Sequence, residues 1–182
     1  MTRPSIHIEP RGFVCVTRHY IRDLVYGAND GIITTFAVVA GVAGGALSSV
    51  AVLVVGVANL AADGVAMGVG NLLAIRANES ALAADGLPEQ EAHPWKHGLA
   101  TLVAFVLAGS VPLMPYVLPV PEHLRFRSSA VLTMASLFAV GAARAAATRD
   151  RWWRTGAEML LLGGLVAIAA YGAGALVRAW TG

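Results

Sequence analysis

Apolar positions along this chain neither alternate nor keep to one helical stripe; they gather in continuous runs. A helix needs about 20 apolar residues to cross about 30 Å of hydrocarbon. Five runs qualify, over 24–46, 49–75, 98–117, 128–143 and 156–177, the fourth being the shortest. They are separated by a small-residue turn, Gly44-Gly45-Ala46-Leu47-Ser48, a short polar loop over about 76–97, a proline-containing link over 119–127 and an arginine-rich loop over 144–154. The pattern predicts an all-α integral membrane protein of five transmembrane helices. Residues 1–19 form an N-terminal segment, and 20–182 the five-span domain.

Composition agrees with this picture, since 57% of the residues are hydrophobic and only 13% charged. The opening MTRPSIHIEPRGFVCVTRHY holds prolines and charges but no long apolar stretch, so it reads as neither a signal peptide nor a first span. Charge placement sets the expected orientation. A cytoplasmic N-terminus puts Arg3, Arg11, Arg18, Arg22, Arg76, Lys96, Arg144, Arg149, Arg151 and Arg154 inside, and leaves only Arg125, Arg127 and Arg178 outside. An odd number of spans then carries the C-terminus to the opposite side. The net charge of +2 gives no argument for nucleic acid, and arginines beside apolar runs suit lipid head groups. The single cysteine, Cys15, excludes an intramolecular disulfide and a cysteine-based zinc site within one chain.

Helix punctuation adds detail. Thr155-x-x-Glu158 reads as a capping box opening the fifth span, and Pro112 and Pro115 fall near the end of the third. Gly27 with Gly31, Gly41 with Gly45, and Gly64 with Gly68 have the spacing that lets membrane helices approach closely, and are read as packing positions.

Asp30 interrupts this apolar pattern. A carboxylate at the centre of an inserted helix costs roughly 2.5–3.5 kcal/mol on translocon scales. The first two spans form a hairpin centred near Gly45 and Ala46, and Asp30 and Asp63 are each about 17 residues from that turn. Both are therefore expected at one depth, roughly 25 Å from the apex. Asp23, Asp30 and Thr34 share a stripe of the first span, while Asn59, Asp63, Met67 and Asn71 recur every fourth residue in the second. Two carboxylates at one depth repel in a low dielectric unless a cation or protons join them. Carboxylate and amide oxygens with one thioether suit a divalent ion such as Mn²⁺ or Fe²⁺, and the absence of histidine and cysteine from the five runs argues against zinc or cuprous ion there. Asn59, Asn71 and Thr34 equally suit interhelical hydrogen bonding, and Met67 taken alone suits the core.

The segments RDLVYGANDGIITTFAVVAGVAG, NLAADGVAMGVGNLLAIRAN and HPWKHGLATLVAFVLAGSVPLMPYVLP resemble the first three spans of the vacuolar iron transporter family, which includes yeast vacuolar iron and manganese transporters and plant nodulin-like proteins. SSAVLTMASLFAVGAARAA and TGAEMLLLGGLVAIAAYGAGALV are similar to its last two. The resemblance implies a homodimer with its pathway between subunits, and proton-coupled movement of ferrous iron or manganese out of the cytosol. It identifies Asp30 and Met67 with the family's pathway acid and methionine; Asp63 and Asn59 lie in the same motif. Asn71 stands where many members carry an acid, and the glutamate-rich cytoplasmic helices of iron-storing members are missing. In their place is a loop with Glu79, Asp85, Glu89, Glu91, His93 and His97. His93 and His97 are four apart, but Pro94 lies between them, so the loop reads as solvated.

The expected function is thus transport, not catalysis: Fe²⁺ or Mn²⁺ exchanged for protons along a pathway lined by Asp30, Asp63, Met67, Asn59 and Asn71. No cofactor is expected beyond the transported ion. A passive divalent-cation channel would use the same ligands, and an interaction protein would use the polar residues only to assemble a bundle. Small size suggests a bacterial cytoplasmic membrane.

Overall fold

A computed structural model describes residues 4–148 and 150–181; Arg3 and Arg149, used in the charge argument, lie outside the described residues. The elements are α1 (Phe13–Gly44), α2 (Ser49–Ala84), α3 (Pro94–Gly109), a 3-10 turn (Val111–Leu113), the short α4 (Met114–Val117), α5 (Glu122–Thr148) and α6 (Trp152–Thr181). Five helical segments are long and apolar enough to cross a membrane. The protein is a multi-pass integral membrane protein built from α-helices.

Each helix boundary has a local cause. α1 ends at Gly44, and the chain reverses through Ala46, whose φ of 53° is the only positive value at a non-glycine among the described residues. Ser48 then caps α2 by accepting a hydrogen bond from the Ala51 N–H at 3.3 Å. α2 stops where Gly86 takes φ 71° and the Leu87 N–H donates to the Leu82 carbonyl at 2.8 Å. Pro94 occupies the first turn of α3, where a missing N–H costs nothing. Pro112 and Pro115 lie in the 3-10 turn and α4, at the broken end of the third span.

The helices outrun the hydropathy-based spans. α1 and α2, with 32 and 36 residues, are about 48 and 54 Å long, well beyond about 30 Å of hydrocarbon. Only 85–93 remains outside helix in the loop expected over about 76–97. The expected capping box is also corrected. α6 begins at Trp152; the Thr155 hydroxyl donates back to the Trp152 carbonyl at 3.0 Å, and Glu158 accepts from Arg144 at 2.9 Å.

α1 is the hub, packing most extensively against α3, then α6 and α5, while α2 leans chiefly on α3. Lipid tails are as apolar as leucine, so close backbone approach replaces the hydrophobic drive of a soluble core. A Cβ on Gly31 would collide with the Phe105 carbonyl oxygen, and one on Gly27 with that of Thr101. Gly68 and Gly98 make the equivalent approach between α2 and α3. The packing reading of these α1 and α2 glycines therefore fits the structure. Phe36, Val39, Leu60, Phe105 and Leu113 fill the space between these helices. Outward side chains such as Leu161, Ile168 and Val131 are exposed and apolar, as a lipid-facing surface requires.

Because α3 is wedged against both α1 and α2, these two leave a groove between them. The helices also define two ends of the bundle. One, the rim, gathers residues 4–12, the 85–93 link, the start of α3 and the start of α6; the other carries the Gly44–Ser48 turn and the C-terminal part of α6, where Gly174 approaches Gly41.

Candidate functional site

The groove has a volume of about 430 Å³ and is lined by Tyr26, Asp30, Asp63, Met67 and Asn71, with Ala66, Gly70 and Ala74 along its wall. Four of the five expected ligands thus meet in one place. Small residues on α2 leave room there, and Asp30 and Asp63 face the same space from α1 and α2. Carboxylate oxygens, a thioether and an amide facing a common space can replace several waters of a divalent ion's hydration shell.

Two expected contributors lie elsewhere. Asn59 does not line the groove, and its amide nitrogen is buried without a hydrogen-bond partner. The Thr34 hydroxyl donates to the Asp30 carbonyl at 2.9 Å, a bond within its own helix. Asn71 reaches the groove but its amide nitrogen points to its own network, donating to Asp23 Oδ1 and Thr101 Oγ1, both at 2.8 Å. Only its carbonyl oxygen is left to serve the groove. That second role follows from geometry, because Asp23 lies two turns before Asp30 on α1 and is almost fully buried.

Asp23 leads to a polar cluster at the rim that sequence reasoning left unassembled. Its Oδ2 lies 2.5 Å from His97 Nδ1. His97 Nε2 lies 3.0 Å from Glu91 Oε2, and His19 Nε2 3.3 Å from the same oxygen. The loop around Glu91 is held, not solvated. Glu79 accepts the Gln90 and Glu91 N–H groups, and Glu91 Oε1 accepts the His93 N–H at 2.9 Å. The N-terminal segment closes the cluster from the other side. The Ile6 N–H donates to the Glu89 carbonyl at 2.9 Å and the Glu89 N–H to the Pro4 carbonyl at 2.8 Å. The expectation that Glu91 and His97 belong to a solvated loop is therefore corrected: their side chains are only 13% and 8% exposed.

Charge is balanced within this rim. Burial works to raise the Glu91 carboxyl, but the His93 N–H and the His97 imidazole together bring it below the ordinary carboxylate range. The exposed Glu9 is held down to about 2 by hydrogen bonds from His7 and then from Lys96, and Glu9 in turn raises His7 above its usual value.

The comparisons with known proteins agree with a five-span membrane fold. The VIT family model matches residues 21–85 and 77–175, two stretches that meet at the tip of α2. Vacuolar iron transporter 1 of Arabidopsis thaliana is 25% identical over 233 aligned positions, covering 91% of this chain and 93% of that protein. The alignment is longer than the 182 residues of this chain, so the plant protein carries residues absent here. Vacuolar iron transporter 1 of Eucalyptus grandis is 24% identical, covering 84% of each chain. The vacuolar iron transporter of Toxoplasma gondii is 41% identical over 71 residues, covering 39% of this chain and 24% of that protein. With the five spans in place and the family model matched along nearly the whole chain, this protein belongs to the VIT family.

Proposed function

We propose that the chain carries a divalent metal ion, Fe²⁺ or Mn²⁺, across its membrane through the α1–α2 groove, in exchange for protons. The observation that carries this reading is that Asp30, Asp63 and Met67, from two helices, line one groove. The similarity to vacuolar iron transporters supports metal transport. Asp30 and Asp63 supply the anionic oxygens, Met67 a soft donor and the Asn71 carbonyl a neutral one. Asn59 is reserved for packing. Closely spaced acids titrate as a coupled set, so an entering ion displaces their protons and returning protons release the ion.

One groove offers four donor groups, only the lower end of the four to six a divalent transition ion takes. Two-fold pairing of two chains would double the set. Asp30, Thr34, Ala37 and Gly41 lie half-buried along one strip of α1, and small residues there suit close packing against a second copy. The rim end collects Arg18, Arg22, Arg76, Lys96, Arg144, Arg151 and Arg154, which supports a cytoplasmic rim and an opposite C-terminus. The relatives' names point to a vacuolar membrane and lend no support to the bacterial cytoplasmic membrane expected from size.

The test is uptake of Fe²⁺ and Mn²⁺ into proteoliposomes with and without an imposed pH gradient. Accumulation above the external concentration, driven by the gradient, is expected. Flow that only equalises the two sides would favour a passive channel using the same ligands, and no flow would end the transport reading.

A further inference from the structure

Four of the five histidines, His7, His19, His93 and His97, converge at the rim although they come from three separate segments. Two groups there offer three donor atoms within 4.8 Å of one another, His19–Glu91–His97 and His7–Glu9–His93. The two differ in chemistry. In the outer group Glu9 is 46% exposed and already bound to a cation, because Lys96 forms an ion pair with it, and His7 Nε2 is hydrogen-bonded to Glu9 at 3.0 Å. One nitrogen of that group, His93 Nδ1, is buried without a hydrogen-bond partner, but its carboxylate is already neutralised by Lys96 and leaves no free anionic donor for an ion.

The inner group is not satisfied in that way. His97 Nε2 and His19 Nε2 are both buried and neither has a hydrogen-bond partner, although each approaches Glu91 Oε2, at 3.0 and 3.3 Å. Both nitrogens therefore converge on a single carboxylate oxygen. Their spacing suits donors that share an ion: ligand atoms about 2.1 Å from a tetrahedral centre stand about 3.4 Å apart. Leaving two imidazole nitrogens buried and unbonded is otherwise costly.

The surroundings are also those of a built ligand set. Asp23 Oδ2 engages His97 Nδ1 at 2.5 Å, which fixes the ring so that Nε2 presents its lone pair, the carboxylate–histidine arrangement common beside metal ions. Asp23 is itself held by the Asn71 amide. The His93 N–H holds Glu91 Oε1, leaving Oε2 for the centre. The Tyr20 ring lies 4.7 and 4.8 Å from the rings of His19 and His97 and covers one flank.

We propose that His19, Glu91 and His97 form a divalent transition-metal site at the rim, distinct from the groove, with Asp23 as its positioning residue. Two imidazoles and one carboxylate select Fe²⁺, Co²⁺ or Zn²⁺ over Mg²⁺ or Ca²⁺. The remaining coordination positions fall to water. The site's existence does not rest on transport, but its place does connect the two: Asp23 and Asn71 bridge it to the groove, and His19 lies about 16 Å before Asp30 along α1.

The experiment is Co²⁺ binding to full-length protein purified in detergent, followed by titration calorimetry and by X-ray absorption for imidazole ligation. Wild type and the doubly substituted Asp30→Asn/Asp63→Asn protein should both bind Co²⁺ through imidazole. His19→Gln and Glu91→Gln, whose side chains are partly exposed, should lose at least tenfold in affinity and lose imidazole scattering. Asp23→Asn should keep the stoichiometry and imidazole scattering while weakening affinity by about 10–100-fold. Wild-type Co²⁺ without imidazole scattering, or affinity unchanged in both His19→Gln and Glu91→Gln, would overturn the site. Because the groove variant separates the two sites, failure here leaves the transport reading standing, and failure of transport leaves this one.

Discussion

The groove and the rim both present carboxylates from α1 to a partner helix, yet they are built on opposite principles. At the groove, Asp30 and Asp63 face small residues and open space, and among the described residues neither carboxylate makes a side-chain hydrogen bond. At the rim, helices, a loop and the N-terminal segment fix Asp23, one oxygen of Glu91 and His97 Nδ1 by hydrogen bonds, and leave the Nε2 atoms of His19 and His97 turned inward without one. A weakly supported donor set lets an ion leave, whereas a tightly supported one fixes its ligands in advance. The contrast teaches that placing a carboxylate in a helix is not enough; what surrounds it decides between passage and retention.

That contrast can be broken most severely at the groove. Asp30→Asn keeps shape but removes charge, and is expected to reduce uptake of both Fe²⁺ and Mn²⁺ to the level of empty liposomes while insertion stays normal. Retained uptake would remove Asp30 from the pathway. The rim should behave differently: His19→Gln is expected to raise the apparent KM for Fe²⁺ about tenfold with kcat nearly unchanged, since capture and passage are separate steps. An equal loss of kcat would show that the rim belongs to the pathway itself. Packing provides a third contrast. Gly31→Ala drives a methyl into the α3 backbone at Phe105 and should cost about 1–3 kcal/mol of stability, seen as a lowered melting temperature in detergent. Gly172→Ala, with open space around it, should be nearly silent, and equal melting of the two variants would contradict the close approach. The smallest effect belongs to Met67→Leu, which conserves volume and removes one soft donor. A several-fold drop in Fe²⁺ uptake is expected, and wild-type rates for both ions would return Met67 to the packing set.

The five spans and the glycine contacts were legible because both are local. Long apolar runs and four-residue spacing survive any tertiary arrangement, and equal distance from a turn already brings Asp30 and Asp63 together. Helix ends were harder. Hydropathy falls at Arg22, Arg76 and Glu122, but the backbone continues helically into water, so the spans were read short. The capping box at Thr155 failed for the same reason, since α6 begins three residues earlier. Asn71 was counted as a ligand from its register alone; the competing demand of Asp23 and Thr101 on its amide is a tertiary fact. The rim was the least legible. His19 and His97 are separated by most of α1 and all of α2, and the N-terminal segment that shuts the cluster is held by the pairing of Ser5 with Glu89 and by ion pairs of His7 and Glu9. The only sequence signal was that four histidines fall in segments assigned to one side of the membrane.

The tip of α2 has an evolutionary consequence. At Asp85 and Gly86 the chain turns among exposed residues, and glycine there takes a φ of 71° with open space around it. Extra residues spliced at such a bend neither cross lipid nor displace a packed side chain. The two stretches matched by the family model overlap at this tip, a place where added residues would leave the spans unchanged. Beside it, residues 4–9 fold back over the 85–93 link and the start of α3.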